Sequence, residues 1–174
     1  MKDMSRRSFL KAGTAATAAL AMAPADVLGK AKSKKKAQTG KIKILAVGVG
    51  GRGHAVINGI TFKGKDEIYD DIEFIGMCDV DQKYAKGVID KYKKLFPNMK
   101  VYNDYKKMYA ELLDQADAVV CGTADHTHAI ISAEALAAKK HVYCEKPLTR
   151  TVYESRLLTK LAAQAGVATQ MGNQ

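Results

Sequence analysis

Residues 42–53 read Ile-Lys-Ile-Leu-Ala-Val-Gly-Val-Gly-Gly-Arg-Gly. A short apolar run of the kind found in buried strands leads into a G-x-G-x-x-G turn, and the residues that follow have helical periodicity. In a strand–turn–helix unit of this kind, Gly48 permits the tight turn, Gly50 lets the backbone approach a diphosphate, and Gly53 allows the helix to pack closely on the strand. The N-terminus of the helix then offers free N–H groups and a partial positive charge to phosphates.

Two more residues of the turn, Gly51 and Arg52, are predicted to contact the cofactor, and the Arg52 side chain could add a charge-assisted hydrogen bond. A glycine hexapeptide alone is weak evidence, because glycine-rich turns are common. Its position directly between a strand and a helix favours a dinucleotide-binding site.

A carboxylate follows the second predicted strand, Ile72–Cys78, at Asp79. An acid at this position accepts hydrogen bonds from the adenosine ribose and repels a 2′-phosphate, so NAD is favoured over NADP. The spacing from the glycines is longer than usual because a polar segment, Thr61–Asp71, intervenes, and we expect it to be a surface loop. The alternative is that Asp79 caps the next helix, although Asp81 is better placed for that role.

Short apolar runs alternate with longer segments of helical period throughout the rest of the chain, which predicts an α/β fold with a doubly wound parallel sheet, the Rossmann fold. The predicted strands are Ile42–Val47, Ile72–Cys78, Lys100–Tyr102, Ala118–Cys121, His141–Cys144 and Val167–Met171. The predicted helices lie near Gly53–Ile60, Gln82–Leu95, Tyr105–Leu113, Ala129–Ala138 and Val152–Ala165.

The N-terminal segment is predicted to be an export signal and not part of the fold. Residues 1–25 combine a basic start, an apolar stretch and a small-residue triplet, and Ser5–Lys11 resembles the twin-arginine consensus S-R-R-x-F-L-K. Residues 26–40 form a basic linker, and residues 41–174 form the dinucleotide-binding domain. We therefore expect the twin-arginine translocation machinery as a partner and the periplasm as the destination.

The net charge of +10 is concentrated in residues 1–40, which hold nine Lys or Arg and two Asp or Glu. Residues 41–174 hold 19 bases and 16 acids, so nucleic acid is not an expected partner. The three cysteines, Cys78, Cys121 and Cys144, lie in or at the end of apolar runs and are predicted to be buried free thiols. Their spacing predicts no metal site.

Two further motifs follow predicted strands: Thr123-Ala124-Asp125-His126-Thr127-His128 and Glu145-Lys146-Pro147. With the glycine turn, they resemble the Gfo/Idh/MocA oxidoreductases, named for glucose-fructose oxidoreductase and inositol dehydrogenase. The family usually shows T-P-x-x-x-H at the first motif, where this sequence has Ala124 in place of proline. Both motifs fall beyond the carboxyl ends of strands, where a doubly wound sheet binds its ligands.

The resemblance implies a catalytic role for Lys146, which would lie near the nicotinamide and exchange a proton with the reacting hydroxyl or carbonyl group. Glu145 would anchor the Lys146 ammonium or contact the nicotinamide side of the cofactor. Thr123, His126 and His128 would be cofactor-binding residues, although a helix cap and a satisfied polar contact are the alternatives for the two histidines.

The segment that ends in Asn173 and Gln174 resembles the part of the family that faces the substrate. The resemblance implies that a C-terminal substrate domain is missing from this chain, that the substrate is carbohydrate-like, and that the full-length protein is a homo-oligomer.

Three functions remain open. The first is an NAD-dependent oxidoreductase acting on a hydroxyl of a sugar, polyol or glycoside. The second is an NAD-dependent glycoside hydrolase or lyase that uses transient oxidation. The third is a non-catalytic NAD-binding module.

Overall fold

A computed structural model of the chain describes residues 40–64 and 67–173. The predicted signal peptide at residues 1–25, residues 26–39 of the predicted linker and Gln174 lie outside the described residues. In the described part of the chain, no helix is both long and apolar enough to cross a membrane.

Six parallel strands form one sheet in the order β3-β2-β1-β4-β5-β6. The strands are β1 (Ile42–Val47), β2 (Ile72–Cys78), β3 (Lys100–Tyr102), β4 (Ala118–Cys121), β5 (His141–Cys144) and β6 (Thr169–Met171). This strand order is that of the doubly wound Rossmann sheet, so the predicted fold class is confirmed.

Five α-helices connect the strands. They are α1 (Gly51–Thr61), α2 (Lys86–Leu95), α3 (Tyr105–Leu112), α4 (His128–Ala137) and α5 (Val152–Ala165), and short 3₁₀ turns lie at Leu113–Gln115 and Asp125–Thr127. The start of α5 shows how local sequence sets these bounds. Thr151 accepts a hydrogen bond from the N–H of Glu154 at 3.2 Å, and the Glu154 carboxylate accepts one from the N–H of Thr151 at 3.0 Å. This capping box satisfies two N–H groups that the helix cannot pair itself.

Both faces of the sheet are buried, which explains why residues 44–47 of β1 form an uninterrupted apolar run and not an alternating one. Leu45 and Val47 point into a core shared with α3, α4 and α5. Ile44 and Ala46 point into a second core on the other face, shared with α1 and α2. As predicted, all three cysteines are buried free thiols.

The structure corrects some predicted bounds. Helix α2 begins at Lys86 and not at Gln82, because the Asp81 carboxylate accepts from the N–H of Tyr84 at 3.0 Å and holds the preceding residues in a turn. Strand β6 begins at Thr169 and not at Val167, because its pairing with β5 starts at that residue. Thr61, predicted to open the surface loop, instead ends α1 and is fully buried.

Candidate cofactor and active site

The glycine turn joins β1 to α1 at the carboxyl edge of the sheet. Gly48 has a φ of +75°, a conformation that residues with a side chain rarely adopt. A Cβ on Gly53 would lie 1.8 Å from the carbonyl oxygen of Gly48, so helix and turn pack at a distance that only glycine allows. The first three N–H groups of α1, at Gly51, Arg52 and Gly53, have no acceptor among the described residues. They form the anion-binding end of the helix.

Asp79 is tied directly to this turn. One carboxylate oxygen, Oδ2, accepts from the N–H of Val49 at 2.9 Å and from that of Gly50 at 3.0 Å. The other oxygen, Oδ1, accepts from the N–H of Asp81 at 3.0 Å. A carboxylate offers about four acceptor sites. One therefore remains on Oδ1 for a ribose hydroxyl, and Asp79 both shapes the turn and faces the ligand.

A cleft of about 580 Å³ opens in front of the turn and Asp79. It is bounded by the ends of β1, β2 and β4 and by Asn103, Tyr105 and Ile131. The free N–H groups of α1 are suited to bind the diphosphate of a dinucleotide, and the Asp79 carboxylate, one strand away, is suited to bind its adenosine ribose. The residues present therefore fit NAD.

The motif after β4 forms the wall of this cleft opposite Asp79, and Thr123 and His126 both line it. His126 is exposed, whereas His128 is buried at the start of α4. The Nδ1 atom of His128 lies 2.7 Å from the carbonyl oxygen of Pro147, and its Nε2 atom lies 3.0 Å from that of Thr123. Because both partners are acceptors, both contacts are hydrogen bonds only when the ring carries two protons. His128 thus links the two motifs and does not border the cleft.

A second cavity of about 290 Å³ contains Lys146. Its lining includes Asp125, Glu145 and Arg52, and it shares Gly122 and Thr123 with the first cleft. Lys146 is exposed there. The two cavities are therefore adjacent along the carboxyl edge of the sheet, with the glycine turn in one and Lys146 in the other.

The partner of Glu145 differs from the expected one. The Arg52 Nε atom lies 3.1 Å from Glu145 Oε1, whereas the Lys146 ammonium forms no ion pair with Glu145. Arg52 is half exposed and Glu145 is buried, so the guanidinium charge compensates for the desolvation of the Glu145 carboxylate. Arg52 therefore ties the glycine turn to the segment that carries Lys146 through its Nε atom, and the contact of its guanidinium with a phosphate stays a prediction.

The sequence did not predict that Gly172 packs directly against Glu145. A Cβ at this position would lie 2.7 to 2.8 Å from the carboxylate atoms of Glu145. The Tyr143 hydroxyl and the backbone N–H of Lys146 also donate to Glu145, at 3.3 and 3.2 Å. The only sequence signal was a glycine directly after a strand. Asn173, which follows, is exposed at the same edge of the sheet.

The side chains of Cys121, Cys144 and His128 form a buried cluster that the sequence did not predict. Cys121 and Cys144 are paired residues on neighbouring strands, and their sulfurs lie within 4.8 Å of a ring nitrogen of His128. The neighbouring Cys144 thiol lowers the pKa of Cys121, whereas the neighbouring Cys121 thiol and burial raise the pKa of Cys144. Since both nitrogens of His128 already face carbonyl oxygens, the cluster offers no free histidine ligand for a metal ion.

Comparisons with known proteins agree with this geometry. Residues 42–173 match the model of the GFO_IDH_MocA oxidoreductase family, described as an NAD-binding Rossmann fold. Residues 3–23 match the model of the twin-arginine translocation signal sequence.

Among curated proteins, the chain is 30% identical over 170 residues to a glycosyl hydrolase family 109 protein of Shewanella baltica, covering 88% of this chain and 36% of that protein. It is 28% identical over 95 residues to inositol 2-dehydrogenase of Salmonella paratyphi B, covering 55% of this chain and 27% of that protein. The chain thus spans about a third of the length of the curated relatives it matches.

Among solved structures, the WlbA dehydrogenase of Chromobacterium violaceum, in complex with NADH and UDP-GlcNAcA, superposes with a TM-score of 0.62 at 25% identity. The match covers 75% of this chain and 34% of that protein. The family match covers most of the chain, including the glycine turn, Asp79 and Lys146. The chain belongs to the Gfo/Idh/MocA oxidoreductase family, and residues 42–173 are its NAD-binding Rossmann domain.

Proposed function

We propose that this chain is the cofactor-binding part of an exported NAD-dependent oxidoreductase that acts on a hydroxyl group of a sugar, polyol or glycoside. The observation that supports the proposal most strongly is that the two cavities lie side by side and share Gly122 and Thr123 in their walls. This arrangement supports a role for Lys146 next to a cleft whose residues fit the diphosphate and ribose of a dinucleotide.

NAD, when bound, accepts a hydride from a substrate carbon. The hydroxyl on that carbon must lose its proton in the same reaction, and we assign the acceptor to the Lys146 amine. Lys146 is exposed in a cavity that a small polar substrate could enter from solvent.

The neighbours of Lys146 fix its backbone on two sides. Glu145 accepts from the N–H of Lys146 while it is anchored to Arg52, and His128 holds the carbonyl oxygen of Pro147. Such anchoring reduces the entropy lost when a catalytic group is oriented toward its substrate. Glu145, Arg52 and His128 therefore serve as positioning residues for Lys146.

Replacing Lys146 with Ala tests this role. We expect turnover of NAD with a panel of sugars and polyols to fall by a factor of about 10² to 10⁴, with NAD affinity changed by no more than about threefold. Lys160→Ala is the matched control, since Lys160 is an exposed lysine on α5. Turnover by Lys146→Ala at the wild-type rate would overturn the assignment.

A second candidate function is hydrolysis or elimination of a glycoside through transient oxidation of the sugar. It is supported by relatives named glycosyl hydrolase family 109 protein and, in Shewanella oneidensis, alpha-N-acetylgalactosaminidase, which are 28–30% identical to this chain. In that reaction the hydride returns to the product, so no reduced cofactor accumulates. Release of p-nitrophenol from nitrophenyl glycosides without net formation of NADH would favour this candidate over the first.

We further propose that the protein acts in the periplasm and carries its cofactor through the membrane. The match of residues 3–23 to the twin-arginine signal supports this destination. Replacing Arg6 and Arg7 with Lys should retain the protein in the cytoplasmic fraction. A periplasmic protein in that variant would contradict the proposal.

A further inference from the structure

Tyr84 is an exposed aromatic residue for which the fold provides no packing role. It lies in the turn between β2 and α2, five residues after Asp79, and is 70% exposed. Its hydroxyl makes no hydrogen bond within the part of the chain that the structure describes. An aromatic ring left this exposed contributes little to the stability of the folded domain.

The exposed ring is nevertheless in a defined place, against the glycine turn. A Cβ on Gly50 would lie 2.7 Å from two ring carbons of Tyr84, and a Cβ on Gly51 would lie 3.4 Å from the Tyr84 hydroxyl. The same Cβ on Gly50 would lie 3.5 Å from Asp79 Oδ2. The tyrosine ring therefore occupies the space that a side chain at residue 50 would fill, beside the carboxylate that faces the ribose.

The hydroxyl lies at the end of α1 that binds anions. The free N–H groups of Gly51 and Arg52 are at this helix terminus, where a Rossmann domain holds the diphosphate. Tyr84 also lines the 580 Å³ cleft. An unpaired O–H donor beside these N–H groups is placed to donate to a phosphate oxygen, and a hydrogen bond to a charged acceptor is stronger than one to a neutral acceptor.

We propose that Tyr84 retains the dinucleotide: its ring moves off Gly50 when the diphosphate approaches the backbone there, its hydroxyl then donates to a phosphate oxygen, and dissociation of the cofactor is slowed. This inference rests on NAD binding, on which the proposed function also depends. Retention suits a protein that carries a twin-arginine signal, because a cofactor lost after export is not replaced from the cytoplasmic pool.

The test is the release rate of NADH, followed by stopped-flow fluorescence when an excess of NAD displaces it. Tyr84→Phe removes only the hydroxyl, and we expect release to be about tenfold faster, equivalent to about 1.4 kcal/mol. Tyr84→Ala also removes the ring and should raise the rate about thirtyfold. Tyr153→Phe, at an exposed tyrosine on α5, is the matched control and should release NADH at the wild-type rate.

Because Tyr84 is exposed, the variants are expected to keep the wild-type urea midpoint, which excludes unfolding as the cause of faster release. Release from Tyr84→Phe at the wild-type rate would overturn the inference and leave the proposed function intact. Failure of the wild-type protein to bind NADH would overturn both. Faster release from Tyr84→Phe, in a protein that oxidises no sugar or polyol, would support the inference and count against the proposed function alone.

Discussion

Replacing Asp79 with Ala should destabilise the cofactor-free protein as well as weaken NAD binding, because the carboxylate holds the glycine turn together. Asp79 Oδ2 accepts hydrogen bonds from the N–H groups of Val49 and Gly50. Val49 is fully buried, so its N–H would lose the one partner it has among the described residues and could not be solvated by water. Gly50 is partly exposed and could be solvated.

The expected loss follows from these two environments. A buried donor left unpaired costs about 1–3 kcal/mol, and the loss of a hydrogen bond to a charged group at a partly exposed site adds about 1 kcal/mol. The free energy of unfolding should therefore fall by about 3 kcal/mol, a large share of the roughly 5–15 kcal/mol typical of a domain. Asp79→Asn keeps one acceptor oxygen and should lose about half as much.

Urea unfolding followed by circular dichroism measures this change in cofactor-free protein, since the chain has no tryptophan to serve as a fluorescence probe. Asp81→Ala is the matched control: the Asp81 side chain accepts only from the N–H of Tyr84 in an exposed turn, and its loss should cost less than about 1 kcal/mol. The reasoning fails if Asp79→Ala unfolds within about 0.5 kcal/mol of the wild type, or if Asp81→Ala is destabilised as strongly.

Three other experiments test neighbouring parts of the structure. Gly53→Ala should abolish NAD binding and lower the free energy of unfolding in urea by about 3 kcal/mol, because its Cβ would lie 1.8 Å from a backbone oxygen. Gly59→Ala is the control: its Cβ would lie in open space, so the substitution should stabilise α1 by about 0.5–1 kcal/mol. A double-mutant cycle of Arg52→Ala and Glu145→Gln, measured by the free energy of unfolding, should give a coupling energy of about 1–2 kcal/mol. This is less than expected for a fully buried pair, because Arg52 is half exposed. Additive losses in the double variant would show that the two residues are not coupled. Burial raises the pKa of Tyr92 to about 12 from an ordinary value of 10.0, so its contribution to stability is complete below pH 10 and is lost as the pH rises toward 12. Urea midpoints at pH 9 and 11.5 should therefore differ less in Tyr92→Phe than in the wild type, and equal differences would contradict this assignment.

The fold was largely predictable because burial on both faces of the sheet leaves a strong pattern in the sequence. The first five strands were predicted with the bounds that the structure shows, since each is a short apolar run with polar or turn residues beyond it. The edge strand β6 was predicted too long, because its exposed residues carry little pattern and its start depends on pairing with β5. Helix α2 was predicted too early because a side-chain hydrogen bond from Asp81 competes with the helix.

Only those parts of the site that lie within sequence motifs could be predicted from the sequence. The glycine turn and Asp79 were identified from their places after strands, and Lys146 from the family resemblance; the structure puts all of them along one edge of the sheet. The pairing of Arg52 with Glu145 joins residues 93 positions apart and has no local signal. The same holds for Tyr84, since nothing in its spacing from Asp79 shows that its ring lies on Gly50.

The account rests on one physical claim, that the free N–H groups of the glycine turn and the Asp79 carboxylate together bind NAD. Isothermal titration calorimetry on protein stripped of nucleotide tests it most directly. We predict saturable binding of one NAD per chain and binding of NADP at least tenfold weaker, because Asp79 repels a 2′-phosphate. Absence of any heat of binding with either nucleotide would contradict the account.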